Sequence, residues 1–199
     1  ITRTWTATDA CGNAASAVQT IRVVDRSAPA FVLPPGAEGL PQDETVQCDG
    51  LSPAVVLTAV DSCDGDVPVL YSEARSGESC AHGFTLTRTW TAADDCGNTT
   101  RHVQVVTVRD TLPPAVACPA NVTIANTPGA CGAPVAFAAS ANDNCSLTTL
   151  RYYAAQAEIS SPHTFPVGVT VATATATDEC GNSSQCSFTV TVNDVDAPS

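Results

Sequence analysis

The stretch Arg88-Thr-Trp-Thr-Ala-Ala-Asp-Asp-Cys-Gly-Asn98 recurs as near-copies at residues 3–13 and 171–182, where Ala172 and Ala174 replace its Arg and Trp. The cysteines of these copies, Cys11, Cys96 and Cys180, stand 85 and 84 residues apart. A fixed period of this size marks a tandem array, in which the fold is that of one repeat. The likeness continues downstream of each copy, through residues 18–29, 103–113 and 187–198, and each junction carries Asp and then Pro.

A period near 85 lies within the usual size of a domain, so the 199 residues hold two whole repeats and pieces. The expected divisions are residues 1–26, the closing two strands of a truncated repeat; 27–110; 111–196; and 197–199, the start of the next repeat. Two strands without a partner sheet cannot bury a core. The sequence is therefore expected to be an excerpt of a longer array.

Twenty acidic residues against eight arginines and no lysine give a net charge of -12. That balance opposes the counterion release on which nucleic-acid binding depends, so no nucleic-acid partner is expected. The same charge makes anionic membranes unlikely partners, and no direct membrane insertion is expected; that the sequence has no run of 18 apolar residues carries no weight in an excerpt. Ten cysteines at matched places, without paired C-x-x-C knuckles, predict disulfides and an extracellular or cell-surface location. Asn98, Asn121, Asn144 and Asn182 head N-x-S/T sequons and are the glycosylation candidates.

Along the chain, apolar and polar residues alternate with the period of half-buried strands. Ile1, Arg3, Trp5 and Ala7 share one face of a strand, and threonines hold the other. After a turn at 9–13, a second strand is expected over 18–24. In the first whole repeat the expected strands are 53–60, 67–72, 84–92 and 101–108, after a weak first strand broken by Pro34, Pro35 and Pro41. The polar segment 73–83 reads as loops. In the second, they are 117–124, 133–139, 150–153, 169–177 and 187–192, with 154–159 a short and unconvincing helix candidate. Gln104, Val106 and Val108, like Phe188, Val190 and Val192, are placed inward. About seven short strands per repeat, with frequent turns, predict an all-β fold of tandem immunoglobulin-like β-sandwiches.

Within residues 115–196 the ordered motifs Cys118-Pro-Ala-Asn-Val-Thr-Ile, Gly129-Ala-Cys-Gly-Ala-Pro-Val, Asp143-Asn-Cys145, Phe165-Pro-Val-Gly168, Ala176-Thr-Asp-Glu-Cys-Gly-Asn182 and Cys186-Ser-Phe-Thr-Val-Thr-Val192 resemble the hyalin repeat (HYR) domain. Residues 27–110 resemble a diverged relative, lacking the Cys-Pro opening and the Phe-Pro-x-Gly. The resemblance implies an immunoglobulin-like fold and extracellular adhesion or matrix work. In composition the chain is also similar to the filament proteins of algal flagellar hairs, the mastigonemes.

In a seven-strand sandwich the loop after the second strand and the turn between the last two strands share one end. That arrangement predicts Cys63 paired with Cys96 and Cys145 with Cys180, and Cys48 paired with Cys80 at the other end. In the last repeat either Cys118 joins Cys186, leaving Cys131 alone, or Cys118 closes on Cys131. Cys11 has no mate.

The junctional acids Asp25, Asp110, Asp194 and Asp196 are weak calcium candidates, since oxygen ligands gathered at a junction suit that ion. Asp and Asn capping turns through backbone amides is the simpler reading. No metal or other cofactor is firmly expected. His82, His102 and His163 lack a nucleophile elbow or a recurring Cys-His arrangement, so no catalytic residue is assigned and no enzyme activity is expected. Trp90 and Trp5 are read as core tryptophans rather than sugar platforms.

The expectation is a structural segment of a long extracellular rod or filament, partnered by its own kind or by other filament or matrix glycoproteins. The alternative is an adhesion module whose end loops, 61–66 or 142–146, bind carbohydrate or protein, with or without calcium.

Overall fold

The computed structural model describes residues 1–80 and 82–197, and among them every regular element is a strand. The opening hairpin is β1 (Thr2–Thr8) and β2 (Ala14–Thr20). In the first whole repeat follow β3 (Ala30–Val32), β4 (Glu44–Gln47), β5 (Thr58–Asp61), β6 (Gly65–Val67), β7 (Val69–Cys80), β8 (Gly83–Ala93) and β9 (Thr99–Arg109). The second contains β10 (Ala115–Ala117), β11 (Val122–Ala125), β12 (Gly132–Val135), β13 (Ser140–Asn142), β14 (Thr148–Ala154), β15 (Ala157–Ile159), β16 (His163–Pro166), β17 (Gly168–Asp178) and β18 (Ser183–Asn193). Of the expected start of a further repeat at 197–199, residues 198 and 199 lie outside the described residues.

The strand orders repeat. In the first whole repeat β3-β5-β6 form one sheet and β4-β9-β8-β7 another; in the second, β11-β18-β17-β14-β15 form the large sheet, with β10-β13 and β12-β16 as two-stranded pairs. In both repeats the short second strand joins the last strand in parallel, β4 on β9 and β11 on β18. This is tandem immunoglobulin-like sandwich architecture.

By spatial clustering the chain divides into two compact units, one of Ile1–Gln42, Ala54–Glu73 and Arg88–Gln104, the other of Asp43–Pro53, Ala74–Thr87 and Val105–Ser199. In the first unit Ala59, Val67 and Ala92 are buried, with Phe31 and Val69 packed on them. Trp90, 1% exposed, fills the space beside them. Its ring lies 5.3 Å from that of Tyr71 and 5.7 Å from that of His102. Beside it Arg88 is buried, and its guanidinium is held by Glu73 at 3.2 Å and by Gln104.

The second unit holds a larger core, in which Val135, Phe137, Ala154, Phe165, Ala172, Phe188, Val190 and Val192 pack together. Here Ala172 and Ala174 stand where Arg88 and Trp90 stand one repeat earlier, and both are fully buried. The lost volume is supplied from other strands: the Phe137 ring meets those of Tyr152, Phe165 and Phe188 at 5.0–6.0 Å. A smaller cluster of Leu86, Val106 and Val108 also lies in this unit. The inward register expected for residues 104, 106, 108, 188, 190 and 192 is the observed one.

Two expectations are corrected. Residues 73–80 are strand, not loop. β7 is a sheet-edge strand with its side chains largely in water, and such a strand has no apolar face to announce it. Its arginine is nonetheless structural, since the Arg75 guanidinium lies 3.8 Å above the Phe84 ring. In line with the unconvincing helix signal there, residues 154–159 form the tip of the β14–β15 hairpin, with Ala155 and Gln156 at φ of 47° and 68°. Trp5 is 53% exposed rather than buried, because the β1–β2 hairpin has no sheet packed on it among the described residues.

Candidate functional site

The copies of the recurrent motif end in one and the same turn. Asp9, Asp94 and Asp178 each donate their N–H to the carbonyl of the Asn four residues on, and each accepts the N–H of the intervening Gly. The Asp side chain then closes the loop, taking the Asn backbone N–H on Oδ1 and the Asn amide on Oδ2 at 2.7–2.8 Å in all three. Gly12, Gly97 and Gly181 sit at φ of 87°, 87° and 90°, in the left-handed region where a side chain is strained. Such a turn is rigid, and it holds the cysteine before its glycine in a constant pose.

Beside each complete turn lies the loop that follows the second main strand, as expected. In the first unit the Asp95 N–H donates to Asp64 Oδ2 at 3.1 Å, and Asp25 gathers with Asp64 and Asp94. Asp25 also groups with Asp61 and Cys63. In the second unit the junctional acid of the next repeat, Asp110, groups in the same way with Asp143 and Cys145. Asn182 donates to the Asp110 carbonyl, and the Ser146 hydroxyl to its carboxylate. The junctional acid is thus built into the end of the repeat it introduces.

Electrostatics differ within these clusters. Burial raises the Asp110 pKa above its ordinary 3.8, and the nearby carboxylates of Asp143 and Asp178 push it further. Burial also acts upward on Asp143, but the N–H groups of Cys145 and Ser146 outweigh it and the net shift is down. Asp25 is lowered, chiefly by the Ser27 N–H. The Ser62 hydroxyl acts to lower the Cys63 thiol, yet the neighbouring Asp25 carboxylate outweighs it and the net shift is upward. Asp25 Oδ2 and Asp143 Oδ2 are buried without a hydrogen-bond partner.

The other calcium candidates are engaged elsewhere. Asp196 Oδ2 accepts from Asn126 Nδ2 and from the Gly129 N–H, at 3.0 and 2.8 Å, and Asp194 Oδ1 accepts the Asp196 N–H. His102 bonds the Pro41 carbonyl at 2.7 Å, and His163 packs edge-on against Phe165.

The disulfides depart from the expected pairing. Cys118 and Cys186 are joined, with α-carbons 5.7 Å apart, and Cys131 is free, as one of the two alternatives held. Cys48 pairs with Cys145 rather than with Cys80, and Cys80 with Cys180 rather than Cys145 with Cys180, at α-carbon separations of 6.0 and 5.1 Å. Cys63 and Cys96 are exposed free thiols rather than a pair, and Cys11 is free. The expected pairing assumed that each repeat staples itself. Both corrected bridges, which lie within the second compact unit, instead join a cysteine of one sequence repeat to a cysteine of the next. The repeat period sets Cys48 against Cys131 and so gave no signal; only the structure puts Asn126 in the Cys48 place, where its N–H bonds the Asn193 carbonyl as that of Cys48 bonds the Arg109 carbonyl.

The sequon asparagines also differ. Asn98 and Asn182 spend their side-chain amides on the turns, and Asn144 donates to Asp49 at 2.9 Å. Asn121 is exposed and uses its Oδ1, which accepts the Thr189 N–H.

The chain is an all-β array of immunoglobulin-like sandwiches with disulfides. Residues 109–192 match the family model described as HYR domain, so the second whole repeat is HYR-like. Similar solved structures include protocadherin gammaB7 EC3-6, at 14% identity and a TM-score of 0.36 over 96% of this chain and 57% of that one. Mouse cadherin-23 EC22-24 shows 15% identity and a TM-score of 0.36, over 85% of this chain and 67% of that one. The tandem Ig repeats of Dlar show 11% identity and a TM-score of 0.31, over 83% and 98%. The chain spans 57% of the protocadherin gammaB7 structure and 38% of that of protocadherin gammaB4.

Proposed function

We propose that this chain is a mechanical segment of an extracellular repeat protein, working as part of a rod or filament and not as a catalyst. The observation that carries the reading is the pair of bridges from Cys48 and Cys80 of one repeat to Cys145 and Cys180 of the next. A binding module needs only its own sandwich, whereas bonds between successive repeats resist bending and extension along the array. Disulfides of this number persist only in an oxidising compartment, which supports an extracellular location. His102 and His163 serve a backbone bond and ring packing, which supports a non-catalytic reading.

Electron microscopy of native material, purified without denaturant, tests this. Long periodic filaments that become flexible on reduction are expected; separate flexible beaded strings, unchanged by reduction, would discard it.

A second reading, calcium-dependent adhesion, is favoured by a different observation: the unpartnered buried oxygens of Asp25 and Asp143, each among further carboxylates. Hard oxygen ligands of this kind suit calcium. Titration calorimetry with calcium chloride against magnesium chloride decides it, and heat that disappears in Asp25→Asn is the supporting result. No calcium-specific heat removes the reading.

A further inference from the structure

β4 and β9 run parallel with Gln47 opposite Arg109, and the Cys48 N–H donates to the Arg109 carbonyl at 3.1 Å. The Cys48–Cys145 bridge anchors the residue after Gln47, and the Gly50 N–H holds the Gln47 carbonyl at 2.9 Å. From this fixed backbone the half-buried Gln47 side chain reaches along the last strand to Thr111, two residues past its partner. Both ends of its amide meet that residue: Oε1 accepts the Thr111 N–H at 3.3 Å, and Nε2 donates to the Thr111 hydroxyl. The amide carbon between them therefore faces the hydroxyl oxygen.

The second repeat shows that anchoring alone does not call for this hydroxyl. There Asn126 takes the Cys48 place, its N–H bonding the Asn193 carbonyl, and its Oδ1 accepts the N–H of Val195 at 3.0 Å. Val195 stands in the Thr111 place, so an amide on a backbone N–H suffices to tie down the segment after the last strand. In the first repeat the same tie carries an alcohol set against a carboxamide. Asp110 lines a cavity of about 290 Å³ together with Thr111 and Arg109. Its carboxyl is buried, and burial together with Asp143 and Asp178 raises its hold on a proton above that of an ordinary carboxylate. Attack of an alcohol on an amide requires such a group, able to take a proton and return it.

We propose that Thr111 and Gln47 are joined by an ester bond formed within the folded chain, with Asp110 carrying the proton. Thr111 Oγ1 attacks Gln47 Cδ; the C–O bond forms, the C–N bond breaks, and the amide nitrogen leaves as ammonia, taking the hydroxyl proton by way of the Asp110 carboxyl. The balance is complete without an oxidant. Holding both groups in one geometry stands in for effective molarities of roughly 10⁵–10⁸ M, which is what makes an amide a usable acyl donor here. β4 lies early in its repeat and Thr111 past its last strand, so the ester carries a pull past the strands between them. This goes beyond the rod reading and is separable from it: filaments without the ester, or the ester in a chain that forms no filament, would part the two.

The test is mass spectrometry of the whole folded chain, denatured and fully reduced at mildly acidic pH, followed by peptide mapping. A mass one ammonia below that of the sequence is expected, with the peptides carrying Gln47 and Thr111 joined, and hydroxylamine should separate them. Thr111→Val and Gln47→Met should each restore the full mass, whereas Thr111→Ser should keep the link. Asp110→Asn should slow its formation by about 100-fold, the lower end of what general acid–base catalysis supplies. The Cys118–Cys186 bridge, mapped in each variant before reduction, reports that the fold is intact. Full mass in the parent, a deficit that maps to other residues, or a link that survives Thr111→Val overturns the ester, and an undiminished rate in Asp110→Asn overturns the role given to that acid.

Discussion

The Trp90 indole nitrogen donates to the Val55 carbonyl at 3.0 Å, anchoring the large buried ring of the first unit to the segment that covers it. Trp5, at the matching place of the opening hairpin, has no such cover and is 53% exposed. Trp90→Ala should lower stability by about 3–5 kcal/mol, the usual range for emptying such a site. Trp90→Phe should cost less, and Trp5→Ala almost nothing. Denaturant unfolding measures all three. Acrylamide quenching should separate two populations, the accessible one disappearing in Trp5→Ala.

The recurrent turn makes the same bonds in an exposed hairpin and in a packed sandwich, so equal substitutions should have unequal effects. Asn182→Ala removes amide bonds to Asp178 and to the Asp110 carbonyl and leaves the buried Asp178 carboxylate under-satisfied. A loss of about 1–3 kcal/mol is expected, in line with removing one partner of a buried acceptor. Asn13→Ala breaks equivalent bonds to Asp9 in water, and the unfolding midpoint should barely move. Equal shifts for the two would count against this account.

Asp110 is 7% exposed, and its folded pKa is raised above 3.8 by burial and by Asp143 and Asp178. A raised acid favours the fold when protonated. Its contribution is fully present below pH 3.8 and is lost as the pH rises through the folded value. Measured in chelator, Asp110→Asn should therefore be more stable than the parent at pH 7, and the gap should close as the pH is lowered towards 3.8. A variant less stable than the parent at pH 7 would show that the carboxylate is needed in its charged form. The lowered acid Asp25 acts with the opposite sign in both proteins and cancels in the comparison, whereas Asp143, whose charge repels that of Asp110, is relieved of that repulsion in the variant and adds to its gain at pH 7.

Among the four sequons, Asn121 is expected to carry glycan in material secreted from a glycosylating host. A sugar on Asn182 would replace a hydrogen of an amide that already makes two bonds, and one on Asn98 would crowd the Asp94 bond. Glycopeptide mass spectrometry should find Asn121 occupied and Asn182 bare. Full occupancy at Asn182 would contradict the turn geometry described above.

Much of the local architecture was legible from residue order because it rests on short-range rules. Period-two alternation placed Val106, Val108, Val190 and Val192 inward, and the Asp-x-Cys-Gly-Asn string specified its turn, since Gly permits the positive φ and Asp and Asn bond to nearby backbone. The 85-residue period exposed the array. A segment governed by no apolar face was misread, β7, polar because it lies at a sheet edge, and the β14–β15 tip gave no turn signal because its two left-handed residues carry no glycine.

What only the tertiary structure decided was which distant groups meet. Cysteine spacing is compatible with several pairings, because bond formation depends on α-carbons coming within about 7 Å and not on separation along the chain. Cys48 and Cys80 find Cys145 and Cys180 from 97 and 100 residues away. The same holds for the tryptophans: identical neighbours in sequence surround Trp5 and Trp90, and burial separates them, because burial is a property of what packs on a strand and not of the strand itself.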